Sequence, residues 1–141
     1  MLVKFKRLAP HAIQPDYATA GSACFDLHAL NTQTINTGTQ AHIKTGLAME
    51  IPAGHVMLIF ARSGNASKHR LSLSNSVGVI DEDYRGEIIV MIRNDHIFDY
   101  EVKRGDRIAQ AMIVPTWRAS FAEGELSETE RGIGGFGSTG K

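Results

Sequence analysis

Apolar and polar residues alternate along much of the chain, and this pattern predicts β-strands. Every second position is apolar near the amino terminus, at Val3 and Phe5, and again within residues 47–51 and 56–60. A period of two is typical of a strand that buries one face. The same pattern recurs in residues 88–92, 98–102 and 108–114. Gly, Pro, Asn and Asp residues separate these segments, as turns require, so we predict an all-β fold of the barrel, sandwich or jelly-roll type.

One segment departs from this alternation and predicts a short helix. Residues 63–71 read SGNASKHRL and begin with a serine. A serine side chain can cap a helix by accepting a bond from a backbone N–H group of the first turn. We therefore predict one helix of two turns, capped by Ser63.

The composition changes after Trp117 and divides the chain into a β core, residues 1–116, and a C-terminal arm, residues 117–141. The arm is polar and then glycine-rich, with five glycines between residues 131 and 140. It has too few apolar side chains to offset its ordering entropy, so we expect it to be flexible on its own. It contains GIGGFG and GFGSTGK, which resemble phosphate-binding loops. Neither is followed by a predicted helix, so we expect only mobile backbone N–H groups that could wrap an anion.

Composition and charge exclude several classes of protein. Lys plus Arg equals Asp plus Glu, 15 against 15, so no overall field attracts nucleic acid or an acidic membrane. Cys24 is the single cysteine, which excludes an internal disulfide and predicts a small buried apolar residue in a reducing compartment. The aliphatic and aromatic run at residues 56–61 is far shorter than the about 20 residues of a spanning helix. We expect a soluble, intracellular protein, cytoplasmic in the simplest case, without nucleic-acid or membrane partners.

Five segments, taken together, resemble a known family. They read AGSACFDL at 20–27, ARSGNASK at 61–68, NSVGVIDEDYRG at 75–86, RGDRIAQ at 104–110 and RGIGGFGSTG at 131–140. In kind, order and spacing they are similar to the five motifs of the trimeric dUTPases, over nearly the whole chain. The resemblance implies a distorted jelly-roll-like β-barrel, a homotrimer with composite sites, and hydrolysis of dUTP to dUMP and pyrophosphate. Such an enzyme limits uracil in DNA and supplies dUMP.

The resemblance assigns the third segment to the nucleoside and to catalysis. It implies that Asp81 is the general base for water attack on the α-phosphorus, and that Tyr84 lies flat against the deoxyribose. The implied uracil pocket consists of Asn75, Gly78, Val79, Ile80, Ile89 and, from the arm, Phe136. Cytosine would leave buried polar groups unpaired there, and a tight hairpin would exclude the thymine methyl group.

The other motifs are assigned to the phosphates by the same resemblance. Cations and oriented donors are needed where pyrophosphate leaves. The implied phosphate-binding residues are Arg62, Ser63, Gly64, Gln110, Arg131, Ser138 and Thr139. Asp26 is implied in the water shell around Mg²⁺ and not as a direct ligand, because Mg²⁺ keeps several waters and binds chiefly through substrate phosphates.

Two positions depart from the family pattern. Cys24 and Arg70 stand where glycine is usual, which puts the local turn geometry in doubt because glycine often supplies a positive φ. Arg70 could add a cation near the phosphates or simply face solvent. Two other functions remain as alternatives: a dUTP-binding regulatory protein with a protein partner, and a dCTP deaminase. The Arg131 arm and the hairpin aspartate disfavour the deaminase.

Overall fold

The computed structural model describes residues 1–136 and Ser138. Within that part, eleven strands and one short helix follow one another, which confirms the all-β prediction. Their bounds are β1 (Lys4–Arg7), β2 (Phe25–His28), β3 (Gln33–Ile35), β4 (Gln40–Lys44), β5 (Leu47–Glu50), β6 (His55–Phe60), α1 (Ser63–His69), β7 (Leu71–Leu73), β8 (Gly78–Ile80), β9 (Ile89–Asn94), β10 (Tyr100–Val102) and β11 (Arg107–Pro115).

The strands pair antiparallel in four sheets. The largest has the order β2-β11-β6-β8, the next has the order β4-β9-β7, and two further pairs are β1-β5 and β10-β3. The hydrogen bonds of the described strands therefore do not close into a single barrel, which corrects the barrel part of the jelly-roll prediction. The four-stranded sheet determines the position of most of the predicted site residues, because four of the five motifs lie on it or at the ends of its strands.

The core lies between these sheets and follows the alternation in the sequence. Met57 and Ile59 of β6 are almost fully buried, as are Ala109 and Ala111 of β11. β11 pairs with both β2 and β6, so its small inward side chains lie at the centre of the largest sheet. Full burial of a side chain as large as that of Met57 or Ile59 contributes about 1.5–3 kcal/mol, so these β6 residues stabilise the sheet that carries the site.

The helix confirms the predicted position but not the predicted cap. Arg62 occupies the N-cap with extended backbone angles, φ −87° and ψ 133°, and no side chain caps the helix. Ser63 is instead the first helical residue, so the prediction that its hydroxyl caps the helix is wrong. The helix ends at His69, earlier than the predicted Leu71, because Arg70 turns into the left-handed region.

The two positions that depart from the family pattern behave differently. Arg70 has φ 51° and ψ 37°, a conformation that glycine adopts without strain. It is exposed, and its N–H group donates to the carbonyl of Ala66 over 3.1 Å. Cys24 is half-buried, so it is less buried than predicted. In the described part of the chain, the non-glycine residues with positive φ are Arg70 and Ser76. Cys24 is not among them, so it does not need the backbone conformation that favours glycine.

After Pro115 the chain leaves the sheets. The described residues from 116 onward contain no strand or helix, and Trp117, Phe121, Leu126 and Phe136 are each at least 93% exposed. These large apolar side chains are not covered by the rest of the described chain. The boundary between core and arm at residue 117 remains a prediction. No helix in the described residues is long and apolar enough to cross a membrane.

Candidate active site

Three segments of the sequence meet at one edge of the four-stranded sheet. Asp26 of β2 lies opposite Gln110 of β11, and Gln110 in turn lies opposite Phe60, the last residue of β6. Arg62 follows β6 after a single residue and begins α1. The pairing of β2, β11 and β6 therefore brings Asp26 of the first motif together with the predicted phosphate-binding residues of the second and fourth motifs.

Asp26 is the electrostatic centre of this edge. Its Oδ1 atom lies 3.0 Å from Nε of Arg62, and its Oδ2 atom lies 3.4 Å from Nη1 of Arg107. The Asp26 side chain is 13% exposed and that of Arg62 is 24% exposed, so the pair is shielded from most of the solvent. Two guanidinium groups share one carboxylate, which leaves a surplus positive charge suited to an anion. Arg107 is the residue that the sequence predictions missed, because its closeness to Asp26 depends on strand pairing.

His28 does not add to this positive charge near neutral pH. Burial lowers the pKa of its imidazole below the ordinary value, and Arg107 and Arg62 lower it further while Asp26 raises it. Its Nδ1 atom is buried and has no hydrogen-bond partner in the described residues. The cationic character of this edge therefore comes from arginine.

The start of α1 presents further donors beside Arg62. The first hydrogen bond of the helix runs from the N–H group of Ala66 to the carbonyl of Arg62, so the N–H groups of Ser63 and Gly64 precede it and need other acceptors. Both residues are exposed. Asn65 holds the helix against β11, because its Nδ2 atom donates to the carbonyl of Arg107 over 3.1 Å.

Gln110 is oriented by the backbone of β6. Its Nε2 atom donates to the carbonyl of Ala61 over 3.1 Å. An amide nitrogen carries two protons, so one N–H bond remains for an external acceptor. The Gln110 side chain is thus fixed next to Arg62, as a phosphate donor would need to be.

The third motif forms a turn at the end of β8. Asp81 follows Ile80 directly, and the N–H group of Tyr84 donates to the Asp81 carbonyl over 3.2 Å. The Tyr84 hydroxyl donates to the carbonyl of Glu87 over 3.0 Å. The ring lies against Gly86, where an added Cβ would come within 2.6 Å of Cζ. Glycine at 86 is therefore required for this placement of Tyr84.

The predicted uracil residues surround this turn. Val79 is 58% exposed and Ile89 is 39% exposed, while Ile80 is half-buried and Asn75 is exposed. Gly78 is buried against Ile59, whose Cβ would lie 3.0 Å from an added Cβ. The backbone is thus packed against Ile59 at Gly78 and exposed at Val79 and Ile89. A pocket that binds a ring through main-chain groups requires such an exposed stretch of backbone on a fixed support.

β6 separates the turn from the phosphate edge. Ile80 lies opposite Met57, and Arg62 comes five residues after Met57. Five residues of extended chain span roughly 17 Å at about 3.3 Å per residue. Asp81, which follows Ile80, and Arg62 therefore lie towards opposite ends of β6.

The predicted site residues of the arm make no described hydrogen bond or ion pair with the turn or with the residues around Asp26. Arg131 donates from Nε to the carbonyl of Gly134 over 2.9 Å, Phe136 is fully exposed, and the Ser138 N–H group donates to Gly135. Thr139 lies outside the described residues. No described hydrogen bond or ion pair joins residues 119–136 to the core. No group of three His, Cys, Asp or Glu side chains that could hold a metal occurs in the described part of the chain.

The chain is similar to known proteins over its whole length. The dUTPase family model matches residues 11–140. The deoxyuridine 5'-triphosphate nucleotidohydrolase of Nautilia profundicola is 48% identical over 142 aligned residues, which cover 100% of both chains. That of Desulfitobacterium hafniense is 52% identical over 130 residues, covering 89% of this chain and 86% of the relative.

Solved structures give the same result. The Staphylococcus bacteriophage 80alpha dUTPase with dUPNHPP is 31% identical, with a TM-score of 0.92 and 99% of each chain covered. A mutant dUTPase of phage phi11 of S. aureus, described with a structural Mg(II) ion, is 26% identical, with a TM-score of 0.83 and coverage of 89% of this chain and 98% of the other.

Proposed function

Because this chain belongs to the dUTPase family, we propose that it hydrolyses dUTP to dUMP and pyrophosphate, with Asp81 as the general base. The curated relatives carry this activity in their name, and a similar solved dUTPase is described with a dUTP analogue. The observation that carries the residue assignment is the edge formed by Asp26, Arg62 and Gln110, together with the turn that presents Asp81. Neither dCTP deamination nor regulatory binding without hydrolysis is favoured, since these relatives are dUTPases.

In the proposed reaction Asp81 orients a water molecule and takes its proton. The water oxygen attacks the α-phosphorus in line, the bond from that phosphorus to the bridging α–β oxygen breaks, and pyrophosphate leaves. An exposed carboxylate at the end of a short strand can reach such a water directly. Developing charge on the leaving group would be met by Arg62, by the N–H groups of Ser63 and Gly64, and by the free N–H bond of Gln110.

The nucleoside would be selected by the turn of the third motif. Main-chain groups of Gly78, Val79, Ile80 and Ile89 would pair with the edge of uracil, and Asn75 would add a side-chain amide. Cytosine reverses a donor and an acceptor, so a buried mismatch would reject it by up to about 10⁴–10⁵-fold. The Tyr84 ring would lie against the deoxyribose, where a 2′-hydroxyl group would collide.

The site would be shared between subunits of a homotrimer. The estimated span of roughly 17 Å along β6, from the level of Ile80 next to Asp81 to Arg62, supports this, because both must reach one triphosphate. The arm of a further subunit would supply Phe136 over uracil and Arg131, Ser138 and Thr139 at the phosphates. Its exposed apolar side chains support this role, since they need a surface that their own core does not provide. Closing the arm would exclude water and strengthen the electrostatics.

Mg²⁺ would bind chiefly through the substrate phosphates. Both carboxylate oxygens of Asp26 already accept bonds from arginine, which fits an acceptor for ion-bound water better than a direct ligand. When bound, the ion would neutralise charge on the phosphate oxygens. One similar dUTPase is described with a structural Mg(II) ion.

The test is pyrophosphate release from dUTP, with dCTP, dTTP and UTP as competing substrates. We expect release from dUTP alone, without ammonia from dCTP. Asp81→Asn should bind the imido analogue of dUTP with nearly unchanged affinity and lose about 10²–10⁴-fold in kcat, the range of general-base catalysis. Near-normal kcat in this variant would remove Asp81 as the base.

A further inference from the structure

Glu82 follows the proposed base and contacts two segments outside its own turn. Its Oε2 atom accepts a hydrogen bond from the N–H group of Gly54. Its Oε1 atom lies 3.4 Å from Nη2 of Arg118. The side chain is only 29% exposed, whereas Asp81 and Asp83 on either side are exposed. Of these three neighbouring carboxylates, Glu82 is thus the one directed towards the protein.

Gly54 connects the same place to the beginning of the arm. Its carbonyl accepts a hydrogen bond of 2.9 Å from the N–H group of Thr116, directly after β11. Gly54, Glu82, Thr116 and Arg118 therefore form one cluster, which we call the root cluster. Through it the turn that carries Asp81, the start of β6 and the root of the C-terminal arm are joined.

The turn is also attached to the core at its carboxyl end, where the Tyr84 hydroxyl donates to the Glu87 carbonyl and the Glu87 side chain accepts a hydrogen bond of 2.9 Å from the Gly46 N–H group. Arg85 donates from Nη1 to the carbonyls of Glu82 and Tyr84, but both bonds stay within the turn. A cleft of about 430 Å³ lies beside this attachment, and Val79, Asp81, Thr116 and Arg118 are among the residues that line it. Glu82 supplies the contacts with Gly54 and Arg118, so its removal would leave the part of the turn next to Asp81 without this attachment.

We propose that Glu82 is a positioning residue for Asp81 and couples it to the root of the arm. This inference rests on the proposed role of Asp81 as the base. A misplacement of the order of 1 Å can reduce catalysis by about 10²-fold, so an exposed turn that carries a base needs an external anchor. Because the arm of each subunit serves another site in the proposed trimer, the root cluster links two sites.

Three variants separate the two contacts. Glu82→Ala removes both, Glu82→Gln keeps an oxygen for the Gly54 N–H group but loses the charge opposite Arg118, and Arg118→Ala removes only the cation. We expect Glu82→Ala to lower kcat for dUTP about 10-fold with KM within about twofold, and Glu82→Gln to restore most of the loss. Glu82→Gln and Arg118→Ala should each cost about twofold, without further loss in the double variant, because both remove the same ion pair.

Glu101→Ala is the matched control, since it removes an exposed carboxylate from β10, and it should leave kcat unchanged. Asp81→Asn is measured in parallel, so that an error in the assignment of the base can be distinguished from an error in the role of Glu82.

If Asp81→Asn abolishes hydrolysis while Glu82→Ala stays within twofold of the unmodified enzyme, the positioning role is overturned. Equal losses in Glu82→Ala and Glu82→Gln would overturn the hydrogen-bonded anchor, and additive losses in the double variant would overturn the coupling to Arg118. Thermal unfolding and trimer size are measured for each variant, and restored kcat in Glu82→Gln supports the proposal even if Glu82→Ala unfolds early.

Discussion

Asp26 and Arg62 form an ion pair 3.0 Å long that is shielded from most of the solvent. Asp26 also faces Arg107 at 3.4 Å, so one carboxylate fixes the directions of two guanidinium groups. A guanidinium held in place loses little side-chain entropy when it binds a phosphate. In the proposed site, the pair would therefore orient Arg62 for the triphosphate before the substrate binds.

The first prediction concerns the orientation of Arg62 by Asp26. Asp26→Asn keeps the size of the side chain and removes its charge. We expect Arg62 to be oriented less well, which should weaken the binding free energy of dUTP by about 1 kcal/mol and raise KM roughly fivefold. The affinity for the imido analogue of dUTP should fall in parallel, while inhibition by deoxyuridine, which lacks phosphates, stays constant. An equal loss for deoxyuridine would contradict a role at the phosphates.

The second prediction concerns the attachment of α1. Asn65→Ala removes the hydrogen bond to the Arg107 carbonyl, and a net loss of about 0.5–1.5 kcal/mol is expected for such a bond. Since α1 buries none of its residues, this loss should loosen the helix and raise KM for dUTP. Ser67→Ala, in the same helix, is the control. Matching KM values in the two variants would show that Asn65 does not position the helix.

The third prediction follows from the conformation of Arg70. A non-glycine residue in the left-handed region is strained by about 1–2 kcal/mol, and glycine loses about 0.5–1 kcal/mol of extra backbone entropy. Arg70→Gly should therefore raise the free energy of unfolding by about 0.5–1 kcal/mol in urea titration. Arg70→Ala keeps the Cβ atom and should bring no gain. A gain of the same size in both variants would place the effect in the arginine side chain and not in the backbone.

The parts of the fold that the sequence predicts are those encoded by local periodicity. Alternation located β5, β6, β9 and most of β11, and one break in the alternation located α1. The predicted strand at 98–102 begins two residues too early, since β10 starts at Tyr100. Phe98, which suggested the earlier start, lies in the preceding loop and is 67% exposed. Local pattern alone does not distinguish an apolar loop residue from a strand residue.

Contacts that depend on pairing between distant strands could not be predicted in this way. Arg107 and Asp26 are 81 residues apart and meet only because β11 pairs with β2. Glu82 and Gly54 are 28 residues apart, and nothing in the sequence near either residue indicates their contact. Family resemblance assigned roles to Asp81 and Arg62, but their separation along β6 became visible only in the structure.

The fourth prediction concerns pH. Because burial lowers the pKa of His28 in the folded protein, the unfolded chain binds a proton at this site more readily. The resulting stability is complete above the ordinary histidine pKa and is lost as the pH falls below it. Urea titrations between pH 8 and pH 5 should show a smaller loss of stability in His28→Gln than in the unmodified protein. His11→Gln, at an exposed histidine, should leave the slope unchanged, and equal slopes in all three proteins would contradict the prediction.

The last prediction tests whether the site is shared. One population carries Asp81→Asn with an intact arm, and the other carries Asp81 but lacks residues 131–141. Neither should hydrolyse dUTP efficiently alone, because each lacks one required part. After dissociation and random reassembly in equal amounts, a site that takes its base and its arm from different chains has both intact in about one quarter of cases. We therefore expect about a quarter of the unmodified activity, and trimers that are proven to be mixed but inactive would show that base and arm come from the same chain.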